Sequence, residues 1–168
     1  EEIKLSRIGE KAFAGCKSIT SMFDTFGEWP SSLKSIGISA FALATPGGTA
    51  KSLILPATLE TIEANAFQSA SLVEVGITGY LLENIPENAF SSNEDLKNLT
   101  IAGGKEFSFS SDSLSDTKLV SDELFSGLTF IGSMSSISGL PDPFLSAYIC
   151  RNQECGCGKG YGDVAVDA

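Results

Sequence analysis

The residues able to carry chemistry are few, and one type is missing. Among 168 residues there are 21 Asp and Glu, 11 Lys and Arg, four Cys and no histidine. Without histidine the chain lacks the usual general base, the commonest metal ligand and the Ser-His or Cys-His nucleophile pair. Carboxylates remain. Asp112, Asp116, Asp122 and Glu123 crowd one stretch, and Asp142, Asp163 and Asp167 are spread more loosely. None matches the Asp-x-[Asp/Asn]-x-[Asp/Asn]-Gly pattern of a calcium loop. Glycoside hydrolysis needs two carboxyls at a fixed separation across a cleft, which a thin array does not supply. These residues read as solvated acidic surface, and the chain as a non-enzyme without a cofactor.

Cysteine offers a second chemistry. Cys150, Cys155 and Cys157 lie close together, whereas Cys16 is far away in sequence. Zinc takes four nitrogen or sulfur ligands at suitable spacing, so no metal site is expected. Disulfide formation among the three suits the cluster better and implies an oxidising compartment. With Cys16 expected in the core, one of the three is left odd. Gly158-Lys159-Gly160 lacks the spacing and the following Ser or Thr of a phosphate loop, and reads as a flexible tail. Asn98-Leu99-Thr100 is an N-glycosylation sequon if the chain is secreted, with Asn98 facing outward beside an inward Leu99.

Composition narrows the partners. The formal net charge is -10 and the pI is about 4.4, which disfavours nucleic acid, whose phosphates must be met by clustered cations. Apolar residues make up 42% and charged residues 19%, so the chain is neither a disordered tail nor a membrane span. No stretch approaches the roughly 20 apolar residues that cross a bilayer. The first residues, Glu1-Glu2-Ile3, are not a basic-then-apolar leader, and this says nothing about compartment.

The elements that must position these groups come from a repeat. Ile8-Gly9-Glu10-Lys11-Ala12-Phe13 returns as Ile36-Gly37-Ile38-Ser39-Ala40-Phe41, as Ile62-Glu63-Ala64-Asn65-Ala66-Phe67 and as Ile85-Pro86-Glu87-Asn88-Ala89-Phe90. Val120 to Phe125 is a weaker copy and Leu140 to Phe144 a frayed one. Leu72-x-x-Val75-x-Ile77 and Leu96-x-x-Leu99-x-Ile101 follow the phrase, and Pro30-x-x-Leu33-x-x-Ile36 and Pro56-x-x-Leu59-x-x-Ile62 lead into it. The alternation gives very short strands with one inward face. Small Ala lets each coil close, and Phe fills its centre. One coil cannot bury its own apolar stripe, so coils stack into a parallel sheet.

This unit resembles the BspA-type leucine-rich repeat, with Cys16 at that pattern's Cys position. The match covers about residues 3–102 well and 119–150 poorly. The resemblance implies a right-handed leucine-rich-repeat solenoid of the α/β type, with a parallel sheet of short strands, about five to six repeats and little regular helix. The array is expected over residues 1–149, with a degenerate or inserted segment at 103–118 that reads as a degraded coil keeping Phe107 and Phe109 inward. Residues 150–168 are expected to form a Cys- and Gly-rich tail, or the start of another module.

The outward strand positions Ser52, Ile54, Glu74, Gly76, Asn98 and Thr100 are the expected ligand-binding columns, although they offer no aromatic or Arg anchor. Phe23, Phe26 and Trp29, in an added segment, are the expected interface anchors, with Trp29 also placed to cap the stack. The resemblance implies a non-enzymatic protein-binding or adhesion module of a secreted or cell-surface protein. The alternative is a structural subunit docked in a lumenal or organellar assembly, whose neighbours cover the array ends. The first coil starts without a polar cap, which terminal coils need, so a neighbour or a larger protein is expected to cover it.

Overall fold

The computed structural model describes residues 4–19, 29–46, 51–102, 106–119, 127–131, 136–140 and 165–167. Phe23, Phe26, Cys150, Cys155 and Cys157 therefore lie outside the described residues.

Every regular element among the described residues is a β-strand. One face carries β1 (Arg7–Ile8), β3 (Ser35–Ile36), β6 (Thr61–Ile62), β8 (Asn84–Ile85), β10 (Glu106–Phe109), β12 (Ser136–Ser138) and β13 (Ala165–Asp167). The other carries β5 (Ser52–Leu55), β7 (Glu74–Ile77), β9 (Asn98–Ala102) and β11 (Leu128–Ile131). β2 (Lys17–Ile19) and β4 (Thr45–Pro46) form a short extra pair. All pairings are parallel, in the orders β1-β3-β6, β8-β10-β12-β13 and β5-β7-β9-β11. Within each of these orders a strand pairs with its counterpart one repeat later: Ile8 with Ile36 and Ile36 with Ile62 on one face, Leu53 with Val75 and Val75 with Leu99 on the other. The fold is a parallel β-solenoid. Among the described residues about four turns close between β1 and β10, and β11 to β13 carry both faces further, against the five to six repeats the sequence predicts.

The strands are short because only alternate residues have a core to enter. In β5 and β7 the inward residues Leu53, Leu55, Val75 and Ile77 are buried, while Ser52, Ile54, Glu74 and Gly76 between them are not. The Phe phrase makes the third side. The residues two before and two after each Phe have positive φ: Lys11 and Gly15, Ser39 and Leu43, Asn65 and Ser69, Asn88 and Ser92. These left-handed positions, costly for L-residues other than Gly and Asn, aim alternate amides at the next coil. The Lys11, Phe13 and Gly15 N–H groups donate to Ile38, Ala40 and Ala42 carbonyls at 2.9, 2.8 and 2.8 Å, and Ser39, Phe41 and Leu43 repeat this one turn on.

The Phe side chains stack through the middle. Phe13, Phe41, Phe67 and Phe90 have successive ring centroids 5.1, 5.2 and 5.4 Å apart and lie within 9° of parallel. The separation follows the backbone spacing of the coils, near 4.8 Å. Ala40, Ala66 and Ala89 beside these rings have no exposed surface, and a larger side chain there would force the coils apart.

Residues 106–119 form another turn of the same coil. β10 pairs with β8 and β12, and Phe107 and Phe109 point inward. Phe109 pairs with Ile85, so Phe109-x-x-x-Ser113-Leu114 fills the phrase. The Phe90 N–H donates to the Ser113 carbonyl at 3.0 Å, and Asp116 has the positive φ of Ser92. Leu114 therefore stands where Phe belongs, one phrase ahead of the weaker copy at Val120 to Phe125. That stretch, beyond the described residues, falls between Leu119 and β11. In this turn the aromatics have moved from the corner to the strand, with Phe107 and Phe109 inward as expected of a degraded coil.

Cys16 corrects a second expectation. Its counterparts Ala44, Ala70 and Asn93 are buried, but Cys16 is exposed, with a free thiol. The position is inward only when a preceding coil covers it, and none does among the described residues. Ion pairs tie turns together outside the core: Arg7 to Glu63 at 3.0 Å, Lys34 to Glu60 at 2.6 Å and Lys118 to Asp95 at 2.9 Å. All are largely exposed and add little stability.

Candidate functional site

The outward positions of β5, β7, β9 and β11 form two columns. Ser52 lies beside Glu74 and Glu74 beside Asn98; Ile54 lies beside Gly76, then Thr100 and Thr129. The six residues expected to line a binding face are thus brought together, at the spacing of neighbouring strands. The first column is internally bonded, since the Asn98 amide donates to Glu74 Oε1 at 3.0 Å. Asn98 is exposed, as its sequon requires, but a glycan on its Nδ2 would replace that bond.

The second column has a step in it. Ile54 is 51% exposed. A Cβ added at Gly76 would meet only the Ile54 side chain, at 3.7 and 3.9 Å. Ile54 thus leans over the missing side chain of its neighbour, forming an apolar ledge beside a shallow floor that ends at the Thr100 and Thr129 hydroxyls.

Trp29 supports the backbone beneath the ledge from the core side. Trp29-Pro30 stands in the sequence where Leu55-Pro56 stands one turn later, so it substitutes for a strand residue. Its Nε1–H donates to the Ile54 carbonyl at 2.7 Å, and its ring meets Phe41 edge-on at 6.0 Å. The indole therefore holds the outer edge of β5 and remains half-buried. Sequence reasoning singled out Trp29 but not this contact; the signal available was the alignment of Trp29-Pro30 with Leu55-Pro56.

A further polar residue escaped notice. Asn93 is fully buried at the position held by Ala70 one turn earlier. Its Oδ1 accepts the Leu72 N–H at 3.0 Å, and its Nδ2 donates to the Phe67 and Phe90 carbonyls at 2.9 and 2.8 Å. It clamps two turns beneath the sheet. Its amide is the only clue in the sequence, at a position otherwise given to small residues.

Among the described residues no three His, Cys, Asp or Glu side chains group as metal ligands, and no described helix is long and apolar enough to cross a membrane. The resolved pKa displacements belong to one surface pair: the Lys118 ammonium, by hydrogen bond and charge, holds Asp95 below the usual carboxylate range, and Asp95 raises Lys118 in return.

Comparison with known families decides the class. The model of the BspA type leucine rich repeat region matches in six copies over residues 6–136. The chain belongs to the BspA-type leucine-rich-repeat family. No curated protein and no solved structure shows a significant match to it. Membership of this repeat family supports a protein-interaction module, because stacked repeats present an extended face rather than an enclosed pocket.

Proposed function

We propose that this BspA-type array is a non-enzymatic adhesion module of a secreted or cell-surface protein, binding a protein partner across the β5-β7-β9-β11 face. The observation carrying the reading is the exposed Ile54 ledge beside the Gly76 floor. It places half-exposed apolar surface next to a polar field of Glu74, Asn98, Thr100 and Ser52. Interfaces gain most from an apolar centre with a polar rim. A flat partner surface that fills the Gly76 step meets both.

The test is binding of the purified chain to intact cells and to immobilised extracellular-matrix proteins. Ile54→Glu and Gly76→Lys should each weaken binding about tenfold or more, the loss expected when a central interface contact worth roughly 1.4 kcal/mol or more is removed. Thr61→Lys, on the opposite face, should leave it unchanged. Binding unaffected by the two sheet-face variants, with melting temperatures intact, sinks the assignment of this face. For the route to the surface, intact mass of the native protein before and after reduction and deglycosylation is decisive. A glycan at Asn98 and reduction-dependent reactivity of Cys150, Cys155 and Cys157 support secretion. Free thiols and no glycan favour an assembly subunit.

A further inference from the structure

The sequon Asn98-Leu99-Thr100 lies within β9 and survives folding as an open site. Residues i and i+2 of a strand share a face. Asn98 and Thr100 therefore both look outward, exposed and half-buried, while Leu99 between them is fully buried. β9 is an inner strand, paired with β7 on one side and β11 on the other. Asn98 thus stands inside the face that carries the Ile54 ledge and not at its rim.

The direction of its amide matters more than its exposure. Asn98 Nδ2 donates to Glu74 Oε1 on β7 at 3.0 Å, so the nitrogen is aimed across the sheet toward β5. Two residues further along β7 stands Gly76, where an added Cβ would meet nothing nearer than the Ile54 side chain at 3.7 Å. That floor has no side chain to deflect a group leaving Asn98. Ile54 is 51% exposed and lies two strands over and two residues along, about 12 Å away by strand spacing and rise. A branched oligosaccharide, bulky and strongly hydrated, spans that distance.

We propose that an N-linked glycan on Asn98 closes the binding face, so that occupancy of this sequon sets the fraction of molecules able to bind. The inference rests on the reading of the β5-β7-β9-β11 face as the binding surface. In the transfer, Nδ2 attacks the anomeric carbon of an oligosaccharide carried on a lipid pyrophosphate. The new Nδ2–C bond replaces one Nδ2–H, and the C–O bond to the pyrophosphate breaks. The pyrophosphate leaves with the electron pair, and the amide proton passes to solvent. The attached sugars lie over Glu74 and the Gly76 step, where a partner's side chain must enter. A partner reaching Ile54 then has to displace hydrated sugar, whereas in the unmodified chain the step is open.

The test compares three samples of the 168-residue chain, with melting temperatures showing that each folds. They are the chain from a secretory eukaryotic host, Asn98→Gln from the same host, and the chain from a host without N-glycosylation. Mass spectrometry should locate a glycan on Asn98 in the first. Hydroxyl-radical oxidation of Ile54 should be severalfold slower there than in the other two, while Ile38, exposed on the Phe corner, reacts equally in all. Binding to intact cells and immobilised matrix proteins should fall about tenfold or more on glycosylation. An Asn98 that stays bare on the secretory route overturns the proposal. So does equal oxidation of Ile54, or equal measurable binding by the modified and unmodified chains. The underlying reading fails separately, through binding of the unmodified chain that Ile54→Glu leaves intact. If no sample binds, the Ile54 oxidation rates still decide whether the glycan covers the step.

Discussion

The four turns headed by Phe13, Phe41, Phe67 and Phe90 and the turn headed by Leu114 solve one packing problem differently. In the first four, one aromatic ring per turn fills the centre, and the strand supplies aliphatic Ile. In the fifth the corner is aliphatic, and the strand carries Phe107 and Phe109, their rings tilted by 59° and 5.3 Å apart. The second of these meets Phe130 edge-on at 6.3 Å. Aromatic volume is kept but relocated, and the stacked column ends. The backbone tolerates the exchange because its hydrogen bonds depend on φ and coil spacing, both retained from Ser92 to Asp116. Volume near the axis is what the repeat conserves, and which residue delivers it is free.

The largest test of that contrast is Phe67→Ala. Phe67 stacks on both sides, and its loss should cost about 3–5 kcal/mol, the range for removing a buried ring, read by chemical denaturation. Leu114→Ala should cost less, about 2–4 kcal/mol, because its neighbour on one side only is a ring. An equal or larger loss at Leu114 would show that the column adds nothing beyond burial.

Next comes Asn93→Ala, which strips the Leu72 N–H and the Phe67 and Phe90 carbonyls of a buried partner. It should cost roughly 2–3 kcal/mol and accelerate hydrogen exchange at Leu72 more than at Val75. Uniform exchange rates would deny that the clamp acts locally. Ser113→Ala sharpens the comparison in the other direction. The Ser113 hydroxyl is buried without a hydrogen-bond partner, in the column that Ala40, Ala66 and Ala89 occupy in the Phe-headed turns. Replacing it should stabilise the chain by about 1 kcal/mol, and a loss of stability would mean that the hydroxyl has a partner.

The smallest effect joins the two regions at their surface. Asp95 belongs to the Phe90 turn and Lys118 to the Leu114 turn. Asp95 is held below its ordinary value, so its contribution is present above that value and lost as pH falls through the folded one. Lys118 is raised, so its contribution is present below its ordinary value and lost as pH rises through the folded one. A melting-temperature profile should show a slight decline at each extreme, absent in Asp95→Asn. Solvent screening keeps it small.

Much of this was legible in the sequence. The phrase at Ile8, Ile36, Ile62 and Ile85 fixes the coil, the inward strand residues and the register of Ser52 with Glu74 and Asn98, because period and burial face are both written in residue type. The fifth turn was legible as a degraded coil with Phe107 and Phe109 inward, but the corner role of Leu114 was not, since spacing between like letters cannot reveal an exchange of roles. Exposure of Cys16 was hidden for another reason: residue type reports the environment of an inner turn, whereas exposure depends on what lies above. The Trp29 contact needed the third dimension, joining an indole to a carbonyl on a different turn.

The left-handed corner residues have a chemical consequence. Leu43, Ser69 and Ser92 hold a backbone conformation that is strained for an L-amino acid and ordinary for its mirror image. A synthetic chain with D-residues at such corners would relax where the natural chain is taut, leaving the stacked rings and outward columns as they are. The coil is thus a natural scaffold for mixed chirality, with the permitted sites marked two residues before and after each ring.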